Sequence, residues 1–384
     1  MAKKTRRHGD DIRGASRLAV EATKGVTTLV EDMHRTIASG PAVLGKPLRG
    51  PARLLTRLVY GSIKGVTDLA GAGLDLALQE LAPALGEGEA SPEREAVVAA
   101  LNGVLGDYLE ASDNPLAIEM AIHHDEPDTT RAHRLLVMVH GSCMNHLQWL
   151  RDGHDHGVAL ASDLGFTPAY LHYNTGRHVS TNGRALAEVL DQTVRDWPAP
   201  VDEVVVLAHS MGGLVSRSAV HIAEQEDLAW RKLLRSMVFL GTPHHGAPLE
   251  RGGNWVDVLL GVSRYSAPFV RLGQIRSAGV TDLRYGNLLD ADWEGRDRFE
   301  MAGDARTPVP LPSGVSCYAV AGDLSRVAGD GLVPVDSALG RHDRPEMSLD
   351  FPETHTCMAK GTAHLDLLDR GEVYDTVREW LGPT

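Results

Sequence analysis

The chain of 384 residues has little cysteine, few aromatic residues and no long apolar segment. Its three cysteines, Cys143, Cys317 and Cys357, are too few for a disulfide framework, and an odd number leaves one unpaired. A reducing compartment is therefore the expected environment. No uninterrupted apolar run approaches the ~18 residues of a membrane-spanning helix, and no apolar segment follows the basic residues 1–17. These absences predict a soluble, cytoplasmic protein without a secretory signal.

Acidic residues outnumber basic ones, so the formal net charge is -13 at pH 7. A surface that binds nucleic acid neutralises phosphates with Lys and Arg, so this balance predicts that the protein does not bind nucleic acid. The exception is residues 1–67, which hold 13 Lys and Arg against 5 Asp and Glu. The hydrophobic content of 43% and the charged content of 23% are ordinary for a globular protein.

Residues 1–85 have the pattern of a helical hairpin. Small and apolar residues recur at steps of three and four in residues 12–37 and again in residues 55–77, with Gly40-Pro41 as a stop between them. Two roles are open for this appendage. It packs on the catalytic body or on a second subunit, or its basic excess attaches the protein peripherally to an anionic lipid surface.

Residues 86–384 predict one α/β catalytic domain. Short apolar runs, such as 135–139, 204–207 and 237–240, alternate with amphipathic patterns of helical length. This alternation predicts a mostly parallel sheet with helices on both faces. Residues 247–312 have few strand signals but many apolar and aromatic residues, which predicts a lid-like or cap-like insertion or, alternatively, a packing helix.

The clearest chemical signal lies at the end of one apolar run. Residues 204–207 predict a strand buried on both faces, and Ala208-His209-Ser210-Met211-Gly212 then leads into a helical pattern. A serine on a sharp strand-to-helix turn is a nucleophile elbow, and the new helix directs its N-terminus at a developing oxyanion. The alternative is an ordinary βα turn that contains serine. Ala208 stands where this motif usually has glycine.

A serine hydroxyl needs an imidazole to take its proton and a carboxylate to orient that imidazole. In this kind of motif the order along the chain is serine, acid, histidine. We predict His364 as the base, because it lies in a loop-like segment just before the last helix. The competing histidines are His244, His245, His342 and His355.

Three aspartates, Asp323, Asp330 and Asp336, are candidates for the acid. Asp330 lies between Gly329 and Gly331, which allow a sharp turn that directs the carboxylate inward. Asp323 follows the strand pattern more closely, but there it fits an ordinary Asx turn. We therefore predict Asp330 as the acid.

An oxyanion hole needs two backbone N–H donors. One is predicted at Met211, the residue after the nucleophile. The other is predicted at Ser142, because His140-Gly141 ends an earlier strand and its glycine allows the loop to approach a substrate closely. The adjacent Cys143 is expected to be a packing thiol.

Five motifs occur in register and resemble the lipase/esterase branch of the α/β-hydrolase superfamily, which includes triacylglycerol lipases and PGAP1-like hydrolases. The resemblance covers roughly residues 116–381. The motifs are Val139-His140-Gly141, Ala208-His209-Ser210-Met211-Gly212-Gly213, Gly241-Thr242-Pro243-His244-His245-Gly246, Asp330-Gly331-Leu332-Val333-Pro334 and His364-Leu365-Asp366.

The resemblance implies an α/β-hydrolase fold with a complete catalytic set. It implies Ser210 as nucleophile, Asp330 as orienting acid and His364 as general base, with Ser142 and Met211 as oxyanion donors. Some such lipases bind structural Ca²⁺ near the catalytic histidine, and Asp366 resembles one ligand position. A calcium site needs several oxygen ligands. No others can be identified here, so we predict no metal and no cofactor.

Together these features predict a serine ester hydrolase, a carboxylesterase or lipase that cleaves a small acyl ester or a lipid through an acyl-enzyme. Two alternatives remain. The same triad serves an acyltransferase, in which an alcohol or amine replaces water. A protein on this scaffold can also be a non-catalytic adaptor that contacts a lipid surface through its N-terminal helices.

Overall fold

The computed structural model describes most of the chain after residue 91. The described ranges are 92–111, 113–125, 133–247, 277–297, 303–325 and 329–383. The predicted hairpin of residues 1–85 lies outside these ranges, and so do residues 248–276 and 298–302 of the predicted lid. The chain divides into two compact units, residues 1–94 with 114–116 and residues 95–113 with 117–384.

Seven strands within the described ranges form one sheet, in the order β1-β3-β2-β4-β5-β6-β7. β1 pairs with β3 in the antiparallel direction, and all other neighbours pair in parallel. The strands are β1 (Ala121–His123), β2 (Arg134–Val139), β3 (Thr167–His172), β4 (Glu203–His209), β5 (Leu234–Leu240), β6 (Ser316–Asp323) and β7 (Thr356–Lys360).

Helices connect the strands and cover the sheet. The α-helices described are α1 (Pro92–Ala111), α2 (His156–Leu164), α3 (Val179–Asp196), α4 (Met211–Gln225), α5 (Ala278–Asp282), α6 (Val335–Ala338) and α7 (Gly371–Leu381). Short 3-10 helices lie at His146–Trp149, Ala229–Lys232, Asp290–Asp292, Pro345–Met347, Glu353–His355 and Asp366–Leu368. None of these helices combines the length and the apolar composition that a bilayer crossing requires.

The central strands are apolar over most of their length because both of their faces are buried there. Val137 and Val206 belong to a core cluster that also contains apolar residues of α3 and α4. Their sequence neighbours Met138 and Leu207 belong to the opposite cluster, with apolar residues of α2 and α7. This alternation follows from the two-residue period of a strand. The predicted α/β fold, a mostly parallel sheet with helices on both faces, is confirmed.

Described residues of the predicted insertion 247–312 pack on the domain body. The Ala247 N–H donates to the carbonyl of Leu283 at 2.9 Å. The Ser277 hydroxyl donates to the carbonyl of Gly103 in α1 at 2.6 Å. Asp282, at the end of α5, accepts from the Val179 N–H at 2.8 Å and so caps α3. Residues 277–283 therefore pack against the domain body, and the lid or cap over residues 247–312 remains a prediction.

The close crossing of α3 and α4 generates a stability prediction. A Cβ at Gly183 in α3 would lie 2.5 Å from the Cβ of Ser218, whose hydroxyl is held by the Leu288 carbonyl. We expect Gly183→Ala to lower the free energy of unfolding by about 1–3 kcal/mol through overpacking, although alanine is the better helix former.

The matched control is Gly371→Ala at the exposed start of α7, where no atom lies within 4 Å of the added Cβ. This change should leave stability unaltered or raise it by up to about 1 kcal/mol, because alanine restricts the unfolded chain. Urea unfolding followed by circular dichroism measures both. Equal stability of the two variants would contradict the packing argument.

Candidate active site

Ser210 lies on the sharp turn between β4 and α4. Its backbone adopts φ 54° and ψ -128°, a conformation that non-glycine residues rarely occupy. Hydrogen bonds hold the turn in place: the Ser210 N–H donates to Leu240 at 2.9 Å, and its carbonyl accepts from Gly213 at 3.0 Å. Such strain persists only where the surroundings enforce it, and it is typical of functional sites.

Small residues let the turn pack against the ends of the neighbouring strands. A Cβ at Gly212 would lie 2.6 Å from the carbonyl oxygen of His140, after β2. A Cβ at Gly141 would lie 2.9 Å from the Cβ of Ser210. The loop after β2 therefore touches the serine directly, as a contributor to an oxyanion hole must.

Asp330 and His364 form a buried hydrogen-bonded pair. His364 Nδ1 lies 2.7 Å from Asp330 Oδ2, and the two side chains are 4% and 0% exposed. The other oxygen, Oδ1, accepts from the backbone N–H groups of Leu332 at 2.9 Å and Val333 at 2.8 Å. The His364 N–H also donates to the Asp330 carbonyl at 3.0 Å. The structure thus brings together the predicted acid and base, 34 residues apart.

This pair lies at the same edge of the sheet as Ser210. A Cβ at Gly241, which follows β5, would lie 3.1 Å from both Asp330 Oδ2 and His364 Nδ1. The ring of His209 lies 4.7 Å from that of His364 between centroids. Ser210 Oγ and His364 Nε2 are both buried, and neither has a hydrogen-bond partner among the described residues. Catalytic hydrogen bonds of this kind often tighten only when substrate binds.

The two other candidate acids lie in different surroundings. Asp323, at the end of β6, accepts from the Ser325 N–H at 2.9 Å, which is the Asx turn that its sequence context suggested. Asp336 is exposed and lies 3.4 Å from Arg341. The side-chain hydrogen-bond partners found for both aspartates are local, and His364 is not among them.

The competing histidines also lie apart from Asp330. His244 is buried with its Nδ1 3.3 Å from the guanidinium of Arg217. The rings of His245 and His342 pack edge to face, 4.9 Å between centroids. His355 bonds through Nδ1 to a backbone carbonyl of β6. Each of these four side chains therefore has a packing or hydrogen-bond contact that does not involve Asp330.

The predicted oxyanion donors border the nucleophile. Ser142 is 1% exposed and follows Gly141. Met211 is the first residue of α4, so its N–H has no acceptor within the helix and lies at the positive end of the helix dipole. Cys143, which follows Ser142 in the chain, has a left-handed backbone, φ 60°. Burial raises the pKa of its thiol to about 11, which suits a packing residue rather than a nucleophile.

Two further side chains support this site, and the sequence did not single them out. The Tyr173 hydroxyl donates to the His140 carbonyl at 2.8 Å, and its ring stacks on His140 at 4.5 Å, which fixes the loop after β2. The signal was a tyrosine directly after the β3 run. His209 contacts His364, and its only sequence signal was its place beside Ser210 in the motif.

The residue that resembles a calcium ligand is engaged with the protein itself. Asp366 Oδ2 accepts from the Ala363 N–H at 3.2 Å, and Oδ1 lies 4.0 Å from Arg151. Within the part of the chain that the structure describes, no group of three or more His, Cys, Asp or Glu side chains could hold a metal ion.

Comparison with known proteins gives one family match within the catalytic domain. Residues 132–302 match the model of the family described as the PGAP1-like alpha/beta domain. No curated protein sequence gives a significant match. The PGAP1-like resemblance expected from the five motifs is confirmed over these residues.

Several solved structures are similar at low sequence identity. The mature lipase BlEst2 of Bacillus licheniformis is 17% identical, with a TM-score of 0.43 over 68% of this chain and 97% of that one. The NocB thioesterase domain is 16% identical, with a TM-score of 0.41 over 68% and 100%. The esterase Pf2001 of Pyrococcus furiosus is 14% identical, with a TM-score of 0.39 over 65% and 82%.

Neutral buried histidines around the site generate a prediction on stability. Burial lowers the pKa of His140 to about 3 and that of His156 to about 4, and it holds the pKa of His209 and His244 well below 6.5. An unfolded histidine titrates near ~6.5. Below that pH the unfolded chain binds protons that the folded chain does not, so stability falls as the pH decreases from ~6.5 toward ~4.

The expected slope is about 1.4 kcal/mol per pH unit for each histidine that stays neutral in the folded state. Urea unfolding at a series of pH values measures it. His156→Gln retains a donor for the Leu367 carbonyl, now 3.0 Å from the imidazole, and should reduce the slope by one such histidine. An unchanged slope in this variant would contradict the conclusion that His156 stays neutral in the folded protein.

Proposed function

We propose that this α/β-hydrolase is a serine ester hydrolase, a carboxylesterase or lipase acting on acyl or lipid-like esters. In this proposal Ser210 is the nucleophile, His364 the general base and Asp330 the orienting acid. One observation carries it: a buried aspartate–histidine hydrogen bond of 2.7 Å beside a serine on a strained strand-to-helix turn. The apolar and aromatic composition of residues 247–312 supports an acyl or lipid-like substrate.

The first half-reaction transfers the acyl group to the enzyme. Because His364 Nδ1 donates to Asp330, the unprotonated Nε2 is free to take the proton of the Ser210 hydroxyl. Ser210 Oγ then bonds to the ester carbonyl carbon. When the tetrahedral intermediate collapses, the bond to the leaving alcohol breaks, and the proton on Nε2 passes to that alcohol.

The second half-reaction releases the acid. A water molecule gives a proton to His364 Nε2 as its oxygen bonds to the acyl carbon. The bond from that carbon to Ser210 Oγ breaks, and the serine oxygen recovers the proton from Nε2. Each tetrahedral oxyanion accepts hydrogen bonds from the N–H groups of Ser142 and Met211, at the N-terminus of α4.

Asp330 serves this cycle in two ways. Its contact with Nδ1 selects the tautomer that leaves Nε2 unprotonated toward the serine, and its negative charge stabilises the imidazolium that forms during each transfer. Hydrogen bonds from Leu332 and Val333 to its second oxygen hold the carboxylate in place and compensate for the loss of water around it.

The nucleophile is tested by Ser210→Ala. We expect kcat for a p-nitrophenyl ester to fall by about 10⁴-fold or more, because the proposed acyl-enzyme forms on this hydroxyl. Covalent labelling by a fluorophosphonate should disappear in this variant. Its melting temperature should not change. Ser216→Ala is the matched control, since Ser216 is also buried in α4 and bonds the Gly212 carbonyl. Turnover retained in Ser210→Ala would move the nucleophile elsewhere.

The acid is tested by a pair of isosteric substitutions. Asp330→Asn should lower kcat by about 10⁴-fold, because an amide does not hold the imidazole in the productive tautomer. Asp323→Asn preserves the Asx turn with Ser325 and should leave kcat within a few-fold of the parent. Steady-state kinetics on a short-chain ester measures both. The reverse order of effects would reassign the acid to Asp323.

Hydrolysis and acyl transfer are separated by adding a primary alcohol to the same assay. A hydrolase is expected to release free acid as the main product at millimolar alcohol, because water attacks the acyl-enzyme. Product analysis by mass spectrometry measures the ratio of acid to new ester. A predominance of the new ester would make the protein an acyltransferase with the same residues.

A further inference from the structure

His209 connects the strand that carries the nucleophile to the loop that carries the base. It is the last residue of β4, directly before Ser210, and it is 1% exposed. Its Nε2 lies 3.1 Å from the carbonyl oxygen of His364. A carbonyl only accepts, so Nε2 carries the proton and donates it across a separation of 155 residues.

Hydrogen bonds from two different elements hold His364. Asp330 holds its N–H through a backbone carbonyl at 3.0 Å and its ring through Nδ1 at 2.7 Å. Both of these contacts come from one residue, so they orient the ring relative to the acid loop and not relative to the serine. The bond from His209 holds the backbone carbonyl of His364, and it comes from the strand that ends directly before Ser210.

The other side of the His209 ring faces the loop of the predicted oxyanion hole. A Cβ at Gly141 would lie 3.0 Å from His209 Nδ1. Among the described residues, Nδ1 has no hydrogen-bond partner. The ring therefore fills the space between the loop after β2 and the base loop, and a change in its shape alters the separation of the two.

The charge of His209 also suits this place. Burial, and to a smaller extent the nearby ring of His364, lowers the pKa of His209 well below the ordinary value, so its ring is neutral. A neutral donor fixes the His364 carbonyl without adding positive charge next to the imidazolium that forms on His364 during the reaction.

We propose that His209 is a positioning residue that sets the reach of His364 Nε2 to Ser210 Oγ through its hydrogen bond to the His364 carbonyl. The inference rests on the proposed function, since it assigns a role within the same reaction. It assigns no proton transfer to His209 itself. A misplacement of about 1 Å between reacting groups can cost about 10²-fold in rate, so a single hydrogen bond is sufficient to matter here.

Three substitutions of His209 in the full-length chain test the role. Glutamine places an amide N–H near the position of imidazole Nε2 and retains the donor, whereas asparagine carries its amide only as far as Nδ1. We expect His209→Gln to keep kcat within about threefold of the parent. His209→Asn and His209→Ala should lose about 10²-fold in kcat with little change in KM, because positioning acts on the reaction step.

Two measurements distinguish positioning from a general loss of structure. End-point titration with a fluorophosphonate counts folded, competent sites, so kcat is expressed per site even where a variant folds poorly. The downfield proton NMR signal of the His364 Nδ1–H bonded to Asp330 should persist in all three variants, because that pair moves with its own loop. Loss of this signal together with activity would indicate structural collapse and overturn the proposal.

The outcomes for the two proposals differ. If Ser210→Ala is inactive but His209→Asn is as active as His209→Gln, the hydrogen bond to the His364 carbonyl has no positioning role. If glutamine fails as badly as alanine while the NMR signal persists, the donor does not explain the effect, and the inference is again wrong. If Ser210→Ala retains turnover, the proposed function itself fails, whatever the His209 variants do.

Discussion

The hydrogen bond between Asp330 and His364 is the interaction on which the rest of the site depends. Burying a carboxylate is costly unless hydrogen bonds replace its water. Here the imidazole Nδ1 and two backbone N–H groups provide that replacement. In the proposed reaction the same bond selects the tautomer of His364, so the group that compensates for burial also orients the proposed base. Such a buried carboxylate requires that the fold direct several hydrogen-bond donors at its two oxygens.

The parallel sheet makes this convergence possible. Strands β2, β4, β5 and β6 run in one direction, so the loops that follow them emerge at one edge. The loop after β2 reaches Ser210, the turn after β4 carries it, and the glycine after β5 leaves room for the acid and base. Each loop is short or glycine-containing where it meets its neighbour, because a side chain there would overlap the next loop.

The histidines around this edge are a consequence of the same dense packing. His140, His209 and His244 are buried and neutral, and each keeps one ring nitrogen without a partner among the described residues. Neutral rings fill the edge without placing positive charge next to the base. The cost appears at low pH, where the unfolded chain gains protons that the folded chain cannot accept.

The local pattern of residues determined much of this protein. Apolar runs at strand length predict the sheet, because a strand buried on both faces excludes polar residues. Small residues around Ser210 predict the elbow, because the turn has no room for larger ones. Both signals are contained within about ten consecutive residues, which is the reach of sequence reasoning. The hairpin of residues 1–85 and the lid are predictions of the same kind.

Tertiary structure decided the contacts between distant segments. Asp323 ends β6 and Asp330 follows seven residues later, yet only the Asp330 side chain meets His364, while the Asp323 side chain bonds to its own loop. Sequence favoured Asp330 through its flanking glycines, but the direction of a side chain in a loop depends on what packs against it. The partner of His209 is 155 residues away, and no local pattern encodes such a contact. The residue types at the site are a property of the sequence, whereas their pairing is a property of the folded sheet edge, where the loops exclude all but one arrangement.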